Sequence, residues 1–176
     1  FFGNGCVAHL SMAHPVGPRL HERMADAATA ENIAFTPGGT YVCMEGPQFS
    51  TLAESLTYKQ LGYDVVGMTA MPEAKLAREA EITYATIAMV TDYDCWHPDH
   101  DAVDVAAIVK VMMENADKVA RLVGRLARDF PKEREACPAG SERALDHALI
   151  TNREARDPAL VRKLEVVAGR VLDRLD

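Results

Sequence analysis

The sequence lacks several features that would place it in a specialised class of protein. Its four cysteines are far apart and form no Cys-x-x-Cys pair, which argues against a disulfide scaffold or a zinc module and favours reduced thiols in a cytoplasmic protein. Its 19 Lys and Arg against 26 Asp and Glu give a net charge of −7, so it has no basic excess for a nucleic-acid backbone. No apolar run is long enough to span a membrane. A small-molecule partner is therefore expected.

The composition is otherwise that of an ordinary globular protein. Of the 176 residues, 48% are hydrophobic and 26% are charged, enough for one domain with a sizeable core. The first residue is Phe1 and not Met, and the residues after it show no signal-peptide pattern. We therefore expect the chain to begin inside a fold whose N-terminal half is missing.

Strand and helix signals alternate along the chain. Short β-branched or apolar runs predict strands, and longer stretches with apolar residues at helical spacing predict helices. The predicted strands are 40–44, 64–69 and 84–91, and the predicted helices are 18–31, 51–61 (capped by Ser50), 72–81, 103–130 and a last one from 157. This order predicts an α/β fold with a largely parallel sheet. A charged segment with Pro and Gly suggests a division into 1–130 and a C-terminal extension, 131–176.

Ligands of parallel sheets usually bind beyond the carboxyl ends of the strands. Three polar or glycine-rich clusters follow the predicted strands, at 45–50, 68–70 and 91–94. We expect a binding site where these clusters meet.

Asp92 and Asp94 provide two carboxylates with one residue between them. In extended chain they point to the same side. From spacing alone they fit a solvated loop with a helix cap, a metal site, or a proton donor whose pKa is raised by its neighbour. A nitrogen heterocycle with an amino group also suits them, because one carboxyl can donate to a ring nitrogen while the other accepts from the amine.

The other two clusters leave alternatives open. Phe49 can stack on a planar ligand, or it can pack at the entry to the helix after Ser50. Met68 and Thr69 fit a core residue and a helix cap equally well. The residues alone do not decide between these readings.

Three long motifs resemble those of methylthioadenosine phosphorylases, in the same order along the chain. Residues 39–55 resemble the segment G-T-x-V-x-x-E-G-P-x-F-S-x-x-A-E-S, residues 68–80 resemble M-T-x-x-P-E-x-x-L-A-x-E-A, and residues 91–96 match T-D-Y-D-C-W. The resemblance covers about residues 1–127 and implies the three-layer α/β/α nucleoside phosphorylase fold with a mixed, largely parallel sheet, incomplete at its N-terminus.

The resemblance also implies a role for individual residues. Asp92 would donate to N7 of adenine and Asp94 would accept from its 6-amino group. Thr69 would contact phosphate, and His9 would close the methylthio pocket of a neighbouring subunit. The remaining implied contacts line the base, the ribose and the alkylthio group: Phe49, Ser50, Val66, Met68 and Ile108.

The activity implied by the resemblance is phosphorolysis of S-methyl-5'-thioadenosine by a cytoplasmic homotrimer or hexamer. Inorganic phosphate would be the co-substrate of this pentosyltransferase, with no metal and no organic cofactor. Its phosphate loop would lie in the missing N-terminal half. Three alternatives stay open: a phosphorylase for 6-oxopurine nucleosides or methylthioinosine, a nucleosidase that uses water, and a purine-binding homologue without catalysis. Related 6-oxopurine enzymes place Asn at the position of Asp92, which favours adenine here.

Overall fold

The computed structural model describes residues 1–98 and 105–172, and the chain divides into two compact units. Unit 1 comprises Phe1–His21, Pro72–Ala85 and the described residues from Glu133 onward. Unit 2 comprises Glu22–Met71 and the described residues of Thr86–Lys132. The division at residue 130 that the sequence suggests stays a prediction.

Five α-helices lie among these residues, close to the bounds that the apolar spacing predicts. They are α1 (Pro18–Ala30), α2 (Leu52–Gln60), α3 (Ala70–Glu79), α4 (Val105–Asp129) and α5 (Pro158–Leu172). Pro18 and Pro158 open their helices, as suits a residue whose fixed φ and missing N–H fit a first helical turn. None of the described helices is long and apolar enough to cross a bilayer.

Two short strands pair in parallel within unit 2. They are β1 (Tyr41–Cys43) and β2 (Val65–Gly67), with Val42 opposite Val66. Their β-branched and aromatic residues suit a pleated, half-buried surface. The helix α2 connects them, as a parallel pair requires a crossover. The predicted α/β class and parallel sheet are confirmed.

The predicted strand at 84–91 is wrong, because the structure assigns no strand to these residues. The carbonyl of Tyr84 accepts from the N–H of Gly17 at 2.8 Å, and the carbonyl of Val90 accepts from the side-chain amide of Asn115 at 2.9 Å. These bonds lead to a helix entry and to a side chain, whereas a strand is defined by a ladder with a neighbouring strand. An apolar run favours a strand but does not show which other strand it would pair with.

The core of unit 1 joins the start of the chain to α5. An isolated antiparallel bridge pairs Ala8 with Leu149 beside it. The buried members of this core are Cys6, Leu145, Ala148, Leu149, Leu164, Ala168, Val171 and Leu172. In unit 2, α1 packs against α4 through Ala27, Ala28 and Leu122. The two alanines allow a close approach of the helices because they carry only a methyl group.

An ion network in unit 1 joins α5 to the turn that follows α3. The guanidinium of Arg170 donates through Nε to Glu81 at 2.9 Å and contacts Asp146 through another nitrogen. A second oxygen of Glu81 accepts from the N–H of Leu145 at 3.0 Å. The hydrogen bond from Arg170 holds the pKa of Asp146 below its ordinary value, with a further charge effect from Arg143.

We expect the full-length Arg170→Met variant to lose less of its free energy of unfolding at acid pH than the wild-type protein loses. Because the pKa of Asp146 is lower in the folded state, its stabilising effect is full above about pH 4 and disappears as the pH falls further. Urea unfolding at pH 6 and pH 3 measures this difference. The matched control is Arg162→Met, at an exposed position of α5, which should keep the wild-type pH dependence. An unchanged pH dependence in Arg170→Met would contradict the assignment.

Candidate active site

The carboxyl ends of β1 and β2 bring two of the three predicted clusters together. Beyond the paired residues Cys43 and Gly67, the N–H of Met44 donates to the carbonyl of Gly67 at 2.9 Å. The chain at Gly46, with a φ of 71°, passes so close to Met68 that a β-carbon there would lie 2.7 Å from the sulfur. The positive φ favours glycine at this position, and the two loops leave the sheet in contact.

The loop after β1 leads into α2 through a cap that differs from the predicted one. Thr51, not Ser50, is the N-cap: its hydroxyl accepts from the N–H of Glu54, and the Glu54 carboxylate accepts from the N–H of Thr51 at 2.8 Å. This reciprocal capping box places Ser50 one residue before the cap. The bonds from the main chain and hydroxyl of Thr51 also lower the pKa of Glu54.

Two candidate ligand-binding residues precede this cap. The hydroxyl of Ser50 donates to the sulfur of Met44 at 3.6 Å. Phe49 is 84% exposed, so its ring does not pack at the helix entry. The staple alternative is thereby contradicted, and the ring is accessible for stacking on a planar ligand.

Asp92 and Asp94 lie in a short turn, each with a local hydrogen bond. Asp92 is exposed and accepts from the hydroxyl of Thr91 at 2.7 Å. Asp94 is half-buried and accepts from the N–H of Cys95 at 2.8 Å, while its carbonyl accepts from the N–H of His97 at 3.0 Å. The two side chains therefore occupy different environments: Asp92 is exposed to solvent, and Asp94 is partly shielded from it.

Two contacts tie this turn to the loop before α2 and to the last turn of α2. The thiol of Cys95 donates to the carbonyl of Ser50 at 3.6 Å. The ammonium of Lys59 lies 3.4 Å from the centre of the Trp96 ring, a cation–π contact. Neither contact has a signal in the sequence, since an isolated Cys and a surface Lys have many possible partners. The aspartate turn and the loop with Phe49 and Ser50 are thus neighbours within unit 2.

Val66, Met68 and Thr69 lie at and beyond the end of β2. Val66 is 36% exposed, Met68 is half-buried and Thr69 is exposed. Thr69 immediately precedes α3, whose regular helix begins only after the extended residue Met71. A hydroxyl at this point suits a phosphate oxygen.

The other two predicted contacts stay predictions. Ile108 is half-buried in the first turn of α4. His9 belongs to unit 1, where its side chain is exposed and its N–H donates to the carbonyl of Ala148 at 2.8 Å. Across residues 1–98 and 105–172, no three His, Cys, Asp or Glu side chains converge as metal ligands would.

The site combines two kinds of chemistry. Two carboxylates and an exposed aromatic ring suit a flat, nitrogen-containing base, because carboxylates pair with ring and exocyclic nitrogens and rings stack. The apolar Val66 and Met68 provide contact area beside it, and the Thr69 hydroxyl suits an oxyanion.

The sequence is similar to that of a known protein family and of several known proteins. Residues 1–128 match the family model described as the phosphorylase superfamily. The S-methyl-5'-thioadenosine phosphorylases of Bradyrhizobium diazoefficiens and Cereibacter sphaeroides are 72% and 60% identical over 98% of the chain. The chain spans 59% of the length of each of these relatives.

Solved structures agree with this result. A methylthioadenosine phosphorylase from an antarctic soil metagenomic library superposes with a TM-score of 0.85 at 43% identity, covering 94% of this chain and 58% of its own. The methylthioadenosine phosphorylase of Schistosoma mansoni in complex with adenine has a TM-score of 0.70 at 29% identity, covering 88% of this chain and 57% of its own. With most of its length matched by the family model, the chain belongs to the phosphorylase superfamily.

Proposed function

We propose that the full-length protein cleaves S-methyl-5'-thioadenosine with inorganic phosphate, giving adenine and 5-methylthioribose 1-phosphate. The observation that carries this proposal is the link between the aspartate turn and the Phe49–Ser50 loop through the thiol of Cys95. It brings two carboxylates and an exposed ring to one region, as an aminopurine requires. The names of the relatives that match 98% of the chain support the same substrate.

The chemistry follows from where charge develops. As the glycosidic bond breaks, the ribose becomes positive and the leaving base becomes electron-rich, so a proton donated to N7 stabilises it. Asp92 is the donor to N7, and Asp94 accepts a hydrogen bond from the 6-amino group. Phosphate, held in part by Thr69, attacks the anomeric carbon from the opposite face.

The proposal extends to the assembly and surroundings of the enzyme. The protein would be a cytoplasmic homotrimer or hexamer that binds a nucleoside and phosphate and needs no metal or organic cofactor. His9 would reach a neighbouring subunit's methylthio pocket, and Ile108 would line the alkylthio end. Because the chain spans 59% of its relatives, other phosphate contacts would come from additional sequence.

We expect the full-length protein to release adenine at a rate that depends on phosphate. Removing phosphate should lower the rate by about a hundredfold or more, because the nucleophile is then absent. Chromatography of the products, with and without phosphate, measures this. Equal rates would identify a nucleosidase that uses water.

A second measurement tests the base. Methylthioinosine and inosine should react about a hundredfold less efficiently than methylthioadenosine, since a 6-oxo group leaves Asp94 without a donor. Higher efficiency with either 6-oxopurine would contradict the proposal. Binding of methylthioadenosine without turnover would instead indicate a non-catalytic homologue.

A further inference from the structure

Cys43 lies opposite the start of the segment Met68–Met71, which carries Thr69, and bonds the end of it. At one end, Cys43 is the register partner of Gly67, the residue just before the segment. At the other end, its thiol accepts from the N–H of Met71 at 3.3 Å and donates to the carbonyl of the same residue at 3.2 Å. The strand pairing therefore holds this four-residue segment at its start, where the N–H of Met44 donates to Gly67, and the Cys43 thiol holds it at its finish.

The thiol acts where the helix is interrupted. Met71 lies within α3 but has an extended backbone, with a φ of −119° and a ψ of 125°. N–H groups at the start of a helix have no partner within it, so they need one elsewhere. The side chain of Cys43 supplies that partner for Met71 and fixes the point at which regular helix begins.

We propose that Cys43 is a positioning residue for the hydroxyl of Thr69, and so for phosphate; this rests on the proposed function. Thr69 is exposed, so surrounding side chains do not enclose it. Its place follows from the main chain on either side. That chain is short: its start is held by the strand pairing, through the bond from the N–H of Met44 to Gly67, and its finish is held by the Cys43 thiol. A change at Cys43 therefore shifts the phosphate contact.

A second thiol gives a matched comparison. Like Cys43, Cys95 is a free, half-buried cysteine that bonds a main-chain carbonyl, but its partner is Ser50, in the loop with Phe49. If each thiol positions its own loop, the two should affect different substrates. Cys43 should govern phosphate, and Cys95 should govern the nucleoside.

The test measures the KM of each substrate in the full-length protein. Cys43→Val keeps the side-chain volume but removes both hydrogen bonds, so we expect the KM for phosphate to rise about five- to tenfold. The KM for methylthioadenosine should stay within about twofold. Cys43→Ser, whose hydroxyl both donates and accepts, should recover most of the loss. Cys95→Ala should raise the KM for the nucleoside instead.

Each outcome bears on a defined claim. A normal phosphate KM in Cys43→Val, or equal rises in both KM values, overturns the inference. If Cys43→Val does not fold, Cys43→Ala, which also removes both hydrogen bonds, decides: a phosphate KM that rises more than the nucleoside KM supports the inference, and an equal rise or no rise overturns it. A wild-type protein without phosphate-dependent turnover overturns the proposed function as well, which separates the two failures.

Discussion

Asp92→Asn in the full-length protein should lower kcat/KM for S-methyl-5'-thioadenosine by about a hundredfold or more and leave the protein folded. A carboxylic acid transfers a proton to N7 as the bond breaks, whereas an amide of the same shape does not, and such general acids contribute about 10²- to 10⁴-fold. Asp92 is exposed and its described hydrogen bond is to the neighbouring Thr91, so no buried network is lost.

Steady-state kinetics and circular dichroism together measure this effect. The control is Asp117→Asn, an equal change of charge at an exposed position of α4, which should stay within about twofold of wild type. Near-normal turnover in Asp92→Asn would refute the role of this carboxyl at N7.

Gly17→Ala should destabilise the full-length protein by about 3 kcal/mol and lower its Tm by about 5–10 °C. Gly17 is buried before α1, and a β-carbon there would lie 2.2 Å from the γ-methyl of Thr83. The methyl is attached close to the main chain, so it cannot move away as a long side chain would. The cost is therefore overpacking, since the φ of Gly17 is not in the left-handed region.

A second substitution identifies the cause. Thr83→Ser removes the clashing methyl and keeps the hydroxyl that bonds the thiol of Cys137, so the double variant should recover most of the stability. Gly124→Ala is the control: a β-carbon at this position in α4 meets nothing within 4 Å, and alanine should raise stability by about 0.5–1 kcal/mol. No recovery in the Gly17→Ala, Thr83→Ser double variant would contradict the packing explanation.

The sequence predicts the elements well where the signal is local. Pro18 and Pro158 mark helix starts, and the Gly-Pro break after residues 40–44 marks the end of β1. The cap of α2 was also readable: Thr51 and Glu54 fit the S/T-x-x-E pattern, which Ser50 does not. The prediction that Ser50 caps this helix is therefore wrong, because Thr51 carries the capping pattern.

Other features depend on partners far along the chain. Apolar residues at 84–91 suggest a strand, but a strand needs a neighbour that composition does not name. The bonds from Cys43 to Met71 and from Cys95 to Ser50 join residues 28 and 45 positions apart. The alternation of strands and helices predicts that the loops after the strands meet. The hydrogen bonds that hold these loops together come from packing, which no short sequence pattern encodes.

Unit 1 has a consequence for synthesis on the ribosome. Its core joins Cys6 to Leu164 and Val171, which lie far along the sequence from it. At about 5–20 residues per second, the early segment waits roughly 10–30 s for these partners. A transcript that ends early therefore leaves Cys6 and the apolar residues packed beside it without their cover, and such products are natural targets for chaperones and proteases.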